Sequence, residues 1–98
     1  MSEKALAELY KCFDASIESM DDEFTAHQFI LHLAKHNQRE YISALCEVRG
    51  DAPFQTVHGA IANRLNHHGR QVEQLTRVAD SPNIFGEKMS CSRWRKIS

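Results

Sequence analysis

Residues 37–68 read NQREYISALCEVRGDAPFQTVHGAIANRLNHH, and the fold hangs on this stretch. NQREYISALCEV has helical spacing: Tyr41, Ile42, Leu45 and Val48 fall on one inner face. Asn37 stands at its start with Glu40 three residues on, the pairing of a capping box. Gly50 then stops it, because glycine takes a left-handed backbone without a steric penalty. Pro53 opens the second helix at a position where a missing N–H costs least. Phe54, Val57, Ile61 and Leu65 follow at helical steps toward a core, and Gly69 ends the run. The face opposite Val57 and Ile61 carries Gln55, Gly59, Ala62, Asn63 and Asn66, flanked by Thr56 and His58.

Two helices joined by the short turn Arg49, Gly50, Asp51 and Ala52 make a helix-turn-helix pattern. The flanking segments extend it. From Ser2 to Met20 an amphipathic helix is expected, with Leu6, Leu9, Phe13, Ile17 and Met20 on one face and Lys4, Glu8, Lys11 and Glu18 in water. The acidic run Asp21, Asp22, Glu23 ends it, and is a poor charge for a helix C-terminus. Phe24 suits a short extended segment. Thr25 with Gln28 forms a second capping-box pair, and Phe24 with Phe29 a hydrophobic staple. Ile30 and Leu33 continue that helix's buried stripe. After Gly69, Val72, Leu75 and Val78 mark a first strand, Ser81-Pro82-Asn83 has turn chemistry, and Ile84-Phe85-Gly86 forms an apolar plug. A second strand is expected over about 92–97 with Trp94 inward. Trp94 and Ile97 cannot share one strand face, so either there is a bulge or one of the two lies outside the core.

Composition sets bounds. Ninety-eight residues suit a single domain, with 42% hydrophobic and 26% charged residues. No apolar run nears the ~20 residues of a membrane helix, and the N-terminus lacks a basic start followed by an apolar run. Cys12, Cys46 and Cys91 are three and widely spaced, which argues against a disulfide framework and for a reducing, cytoplasmic setting. Residues 1–48 carry four Lys/Arg against nine Asp/Glu, whereas residues 49–98 carry eight against four. The basic half fits an anion-binding surface; head-to-tail self-association fits equally.

The order of helices followed by a two-stranded hairpin resembles winged helix-turn-helix domains over residues 24–97. PFQTVHGAIANRLN followed by a hairpin is most similar to HARE-type winged helices. The resemblance implies an α+β fold with a three-helix core, an extra N-terminal helix over residues 2–20 and a C-terminal wing. It implies that the helix of residues 53–68 reads double-stranded DNA in the major groove, and that the wing touches the backbone. On that basis Gln55, Thr56, His58 and Asn63 are base-side candidates, with Arg64 the only cation on the helix. Arg70, Lys88, Arg93, Arg95 and Lys96 are phosphate candidates. Asn and Gln suit bidentate contacts to adenine, and small Gly59 and Ala62 allow close approach of the backbone.

The expected function is therefore a small non-enzymatic DNA-binding protein, a transcriptional or phage or mobile-element regulator. The alternative is an adaptor or inhibitor that binds a protein partner through the same scaffold. The Leu6, Leu9, Phe13, Ile17 stripe is expected to pack on the chain's own core, with a homodimer seam as its other use. His32 and His36 stand four apart as two metal ligands could, but no Cys-x-x-Cys or HExxH supplies a third, so the six histidines read as solvent-facing and no metal or cofactor is expected. Cys46 and Cys12 read as packing residues and Cys91 as exposed, with no base assigned and no catalytic residue nominated.

Overall fold

The computed structural model describes residues 4–97, with backbone alone for residues 76–79. It is a small α+β domain. The helices are α1 (Lys4–Tyr10), α2 (Phe13–Ser19), α3 (Ala26–His36), α4 (Gln38–Glu47) and α5 (Pro53–Arg64), the last running into a 3-10 turn at Leu65–His67. The strands are β1 (Glu23–Thr25), β2 (Val72–Pro82) and β3 (Lys88–Lys96). They form one antiparallel sheet in the order β1-β3-β2. No described helix is long and apolar enough to cross a membrane.

The expected single helix over residues 2–20 is two. The Cys12 N–H bonds to the Leu9 carbonyl at 3.0 Å, three residues back, and this tightened turn breaks the α-helical ladder. The break lets α1 pack on α4 while α2 packs on α3. Leu9, Phe13 and Ile17 stay inward on both sides of it, each at most 2% exposed. Leu6 and Met20 of the same stripe are half-buried against that core. Ser2 lies outside the described residues.

The Thr25 cap forms as the sequence suggests. Its hydroxyl accepts from the Gln28 N–H at 3.1 Å, and its N–H donates to Gln28 Oε1 at 2.8 Å. Phe24 and Phe29 are both buried with ring centroids 5.9 Å apart, as a staple requires. The Asn37 box does not form. Its amide instead donates back to the Leu33 carbonyl at 3.0 Å and to Ser16 Oγ at 3.4 Å, closing α3 rather than opening α4.

On α4 the inner face is rotated from expectation. Tyr41 and Ala44 are buried, Leu45 and Val48 are half-buried, and Ile42 is 54% exposed. Cys46 is exposed rather than packed. The Glu47 carboxylate reaches the N-terminus of α1, accepting from the Ala5 N–H at 3.1 Å, where the helix dipole favours a negative charge. Gly50 has φ +109°, so the α4–α5 connection needs a residue without a Cβ there. On α5, Val57, Ile61 and Leu65 are fully buried, while Phe54 is turned outward.

The sheet exceeds the expected two-stranded wing. β1 joins it, pairing Glu23, Phe24 and Thr25 with Arg95, Trp94 and Arg93. β2 is longer than predicted and holds Ser81 and Pro82, and β3 starts at Lys88. Two register irregularities, at Gln74/Thr76 and Thr76/Ala79, bend the hairpin. The bend brings Ser81 Oγ to 3.0 Å from Thr25 Oγ1, a buried contact, and lets the Ser81 carbonyl bond to His27 Nδ1 at 3.0 Å. The turn proper is Asn83 to Glu87. Asn83 Oδ1 accepts from the N–H groups of Phe85 and Glu87, and Gly86 takes φ +84°. Trp94 is buried and Ile97 is outside the core, which resolves the strand-face conflict. Val78, expected to mark the first strand, has a side chain outside the described set.

Candidate nucleic-acid interface

Alternation along β3 decides which basic side chains can face α5. Trp94 packs inward among the helices, so Arg93 and Arg95 lie on the opposite face of the sheet. There each meets a carboxylate across the strands. Arg93 bonds to Glu23 at 3.1 Å and Arg95 to Glu73 at 2.7 Å, and this pairing raises the Arg95 pKa further. Lys96 is committed elsewhere: its Nζ donates to the carbonyls of Glu18 and Met20, both at 3.0 Å. It supplies the cation that the C-terminus of α2 lacks in its own acidic sequence. Three of the five phosphate candidates are thus engaged within the domain.

Arg70, just after the 3-10 turn, and Lys88, at the start of β3, are exposed and carry no ion pair among the described residues. Arg64 lies over the ring of Tyr10, 4.7 Å from its centroid, and so ties α5 to α1.

The outer row of α5 is free. Gln55, Thr56, Asn63 and, just beyond the helix, Asn66 are exposed around Gly59, and their side chains make no hydrogen bond among the described residues. A Cβ at Gly59 would meet nothing within 4 Å, so the row has a flat centre. His58 is not part of that row. It turns sideways, half-buried, and its Nε2 is hydrogen-bonded to the Tyr41 hydroxyl. Burial pushes the His58 pKa down, with His27 adding to the shift, and burial pushes the Tyr41 phenol up. Both shifts favour a neutral imidazole accepting from a protonated phenol.

Beside α5 runs a cavity of about 440 Å³, which the sequence did not reveal. His58, Gly59 and Ala62 form one wall, Ala26, His27 and Ile30 another, and the hairpin a third. Phe54 and Phe85 close one end with an edge-to-face contact at 4.9 Å, and Met89 is exposed alongside. A signal was present in Phe85: an aromatic next to Gly86 in a tight turn has no core of its own to enter.

The histidines do more than face solvent. His68 stacks on Phe13 at 5.2 Å, with Nδ1 3.0 Å from Gln71 Oε1 and 3.4 Å from Asp14. His32 and His36 stack at 4.2 Å, and burial followed by the neighbouring His36 lowers the His32 pKa. Among the described residues no three His, Cys, Asp or Glu converge where a metal could be held. Cys91 is half-buried on the hairpin wall of the cavity.

In comparisons with known proteins, no family model, no curated protein and no solved structure matched this chain.

Proposed function

We propose that this domain is a winged helix that binds double-stranded DNA, with α5 in the major groove and the β2–β3 hairpin as the wing. One observation carries the proposal. The outer row of α5 holds amides, a hydroxyl and a bare glycine, all unspent among the described residues, on a helix that leads into a hairpin of sheet order β1-β3-β2. Amide side chains are the natural bidentate partners of adenine. The role is regulatory and non-enzymatic.

The geometry supports a smaller phosphate contact set than the resemblance implied. Arg70 and Lys88 take that role. Arg93, Arg95 and Lys96 serve the sheet and the C-terminus of α2. Asn63 and Gln55 remain the base-side residues, with Thr56 beside them, and His58 and Arg64 hold α5 in place.

The test is a set of variants assayed by duplex-DNA binding. Asn63→Ala lowers specific affinity by about 1–3 kcal/mol, and Lys88→Ala weakens all sequences alike. Arg95→Ala leaves DNA affinity unchanged. Loss of binding in Arg95→Ala with none in Lys88→Ala and Arg70→Ala overturns the assignment of this face.

A further inference from the structure

We propose that the cavity beside α5 is a docking groove for an extended peptide segment of a partner protein, which adds as a strand to the open edge of β3. The proposal does not rest on DNA binding.

The edge is the first observation. β1 covers β3 only at Arg93, Trp94 and Arg95, although β3 continues back to Lys88. The Lys96 N–H donates to the Asp22 carbonyl at 2.7 Å, so the even residues of β3 direct their backbone groups toward the β1 side. The hairpin end gives the same parity independently. The Asn83 N–H bonds to the Glu87 carbonyl at 2.8 Å, so odd residues on this strand face β2. The N–H and C=O groups of Ser90 and Ser92 therefore point away from β2, where no described strand meets them. An unpaired edge of this kind is a template for one more strand.

The groove is the second observation. Residues 89–92 form its hairpin wall, so the open edge and the apolar cavity coincide. Three of the exposed large apolar side chains, Phe54, Phe85 and Met89, gather at this cavity. A strand laid along the edge presents alternate side chains to them.

Charge selects the peptide. The one Asp, Glu, Lys or Arg among the lining residues is Glu87. An added antiparallel strand runs in the direction of β1, which places its C-terminal end toward Glu87. The occupant is thus an extended segment with apolar residues at alternate positions and a basic residue at that end. Gln55 lines the same groove, so a docked peptide and duplex DNA on α5 exclude one another.

The probe is the capped peptide acetyl-Thr-Val-Thr-Val-Thr-Lys-amide, whose two Val and Lys share one strand face, titrated into the isotope-labelled full chain. The expected result is amide shifts at residues 87–92 and on the groove wall of α5, with slowed amide exchange at Ser90 and Ser92. The same peptide ending in Glu binds at least tenfold more weakly. Ser90→Pro removes one outward N–H without touching the ladder to β2, and proline is tolerated at such an edge position. It lowers peptide affinity at least tenfold while the fluorescence of Trp94 stays native. Should that variant unfold, Ala62→Trp, which fills the groove from α5, gives the same loss. Two results overturn the proposal: no shift at millimolar peptide, or binding unchanged in the folded variants. Protection of Ser90 and Ser92 that rises with protein concentration alone overturns it too, since a second copy then occupies the edge.

Discussion

Thr25→Ala tests how the hairpin is set against the helices. The Thr25 hydroxyl makes two contacts, the N-cap of α3 at 3.1 Å and a buried bond to Ser81 Oγ at 3.0 Å. Losing the cap costs about 1 kcal/mol. Ser81 is 4% exposed, and its hydroxyl is left with a long 3.5 Å contact to the Pro82 carbonyl, at a cost of about 1 kcal/mol. The lost methyl adds about 0.8 kcal/mol. The expected destabilisation is about 3 kcal/mol, roughly 12–24 °C in Tm for a domain of this size. Urea unfolding followed by the fluorescence of Trp94, the single tryptophan, measures it. Thr25→Ser keeps both hydrogen bonds and costs only about 1 kcal/mol, the methyl and its packing. Combining Thr25→Ala with Ser81→Ala recovers about 1 kcal/mol of the summed single losses, because the two share one bond. Thr25→Ala no more harmful than Thr25→Ser refutes the reasoning.

Other outcomes follow from the same geometry. Lys96→Met loses the cation at the C-terminus of α2 and lowers stability by about 1 kcal/mol, with DNA affinity unchanged. Phe13→Ala empties a fully buried ring that contacts Phe29 at 5.0 Å, and costs about 3–5 kcal/mol in the same unfolding assay. The folded pKa of His58 is lowered, so the unfolded chain takes up a proton first as pH falls. Its contribution is therefore intact above the ordinary histidine value of about 6.5 and is lost as pH drops through the lowered folded value. His58→Gln flattens that acid-side decline in a series of urea midpoints.

The local signals that survived are those whose partners lie within a few residues. Thr25 and Gln28, Phe24 and Phe29, Pro53 and Gly50 each act over one turn, and each was legible in sequence. The α5 core stripe Val57, Ile61, Leu65 was legible for the same reason. Failures came where a distant element decides. Asn37 had two ways to bond, and Ser16 and Leu33 drew it toward α3. Ile42 and Tyr41 are neighbours in sequence, and the packing of α4 against α1 and α5 buries Tyr41 alone. The roles of Arg93, Arg95 and Lys96 depend on strand register and on the acidic segment from Glu18 to Glu23, which no local pattern encodes. The cavity was invisible because α3, α5 and the hairpin, far apart in sequence, line it together.

The most direct measurement is a fluorescence-anisotropy titration of a mixed-sequence duplex across a salt series. With Arg70 and Lys88 as the phosphate contacts, log affinity falls against log salt with a slope of about −2, or about tenfold between roughly 50 and 200 mM. A slope near −4.5, several-hundredfold over that range, contradicts the account by bringing Arg93, Arg95 and Lys96 onto the phosphates. No binding at the lowest salt contradicts it altogether.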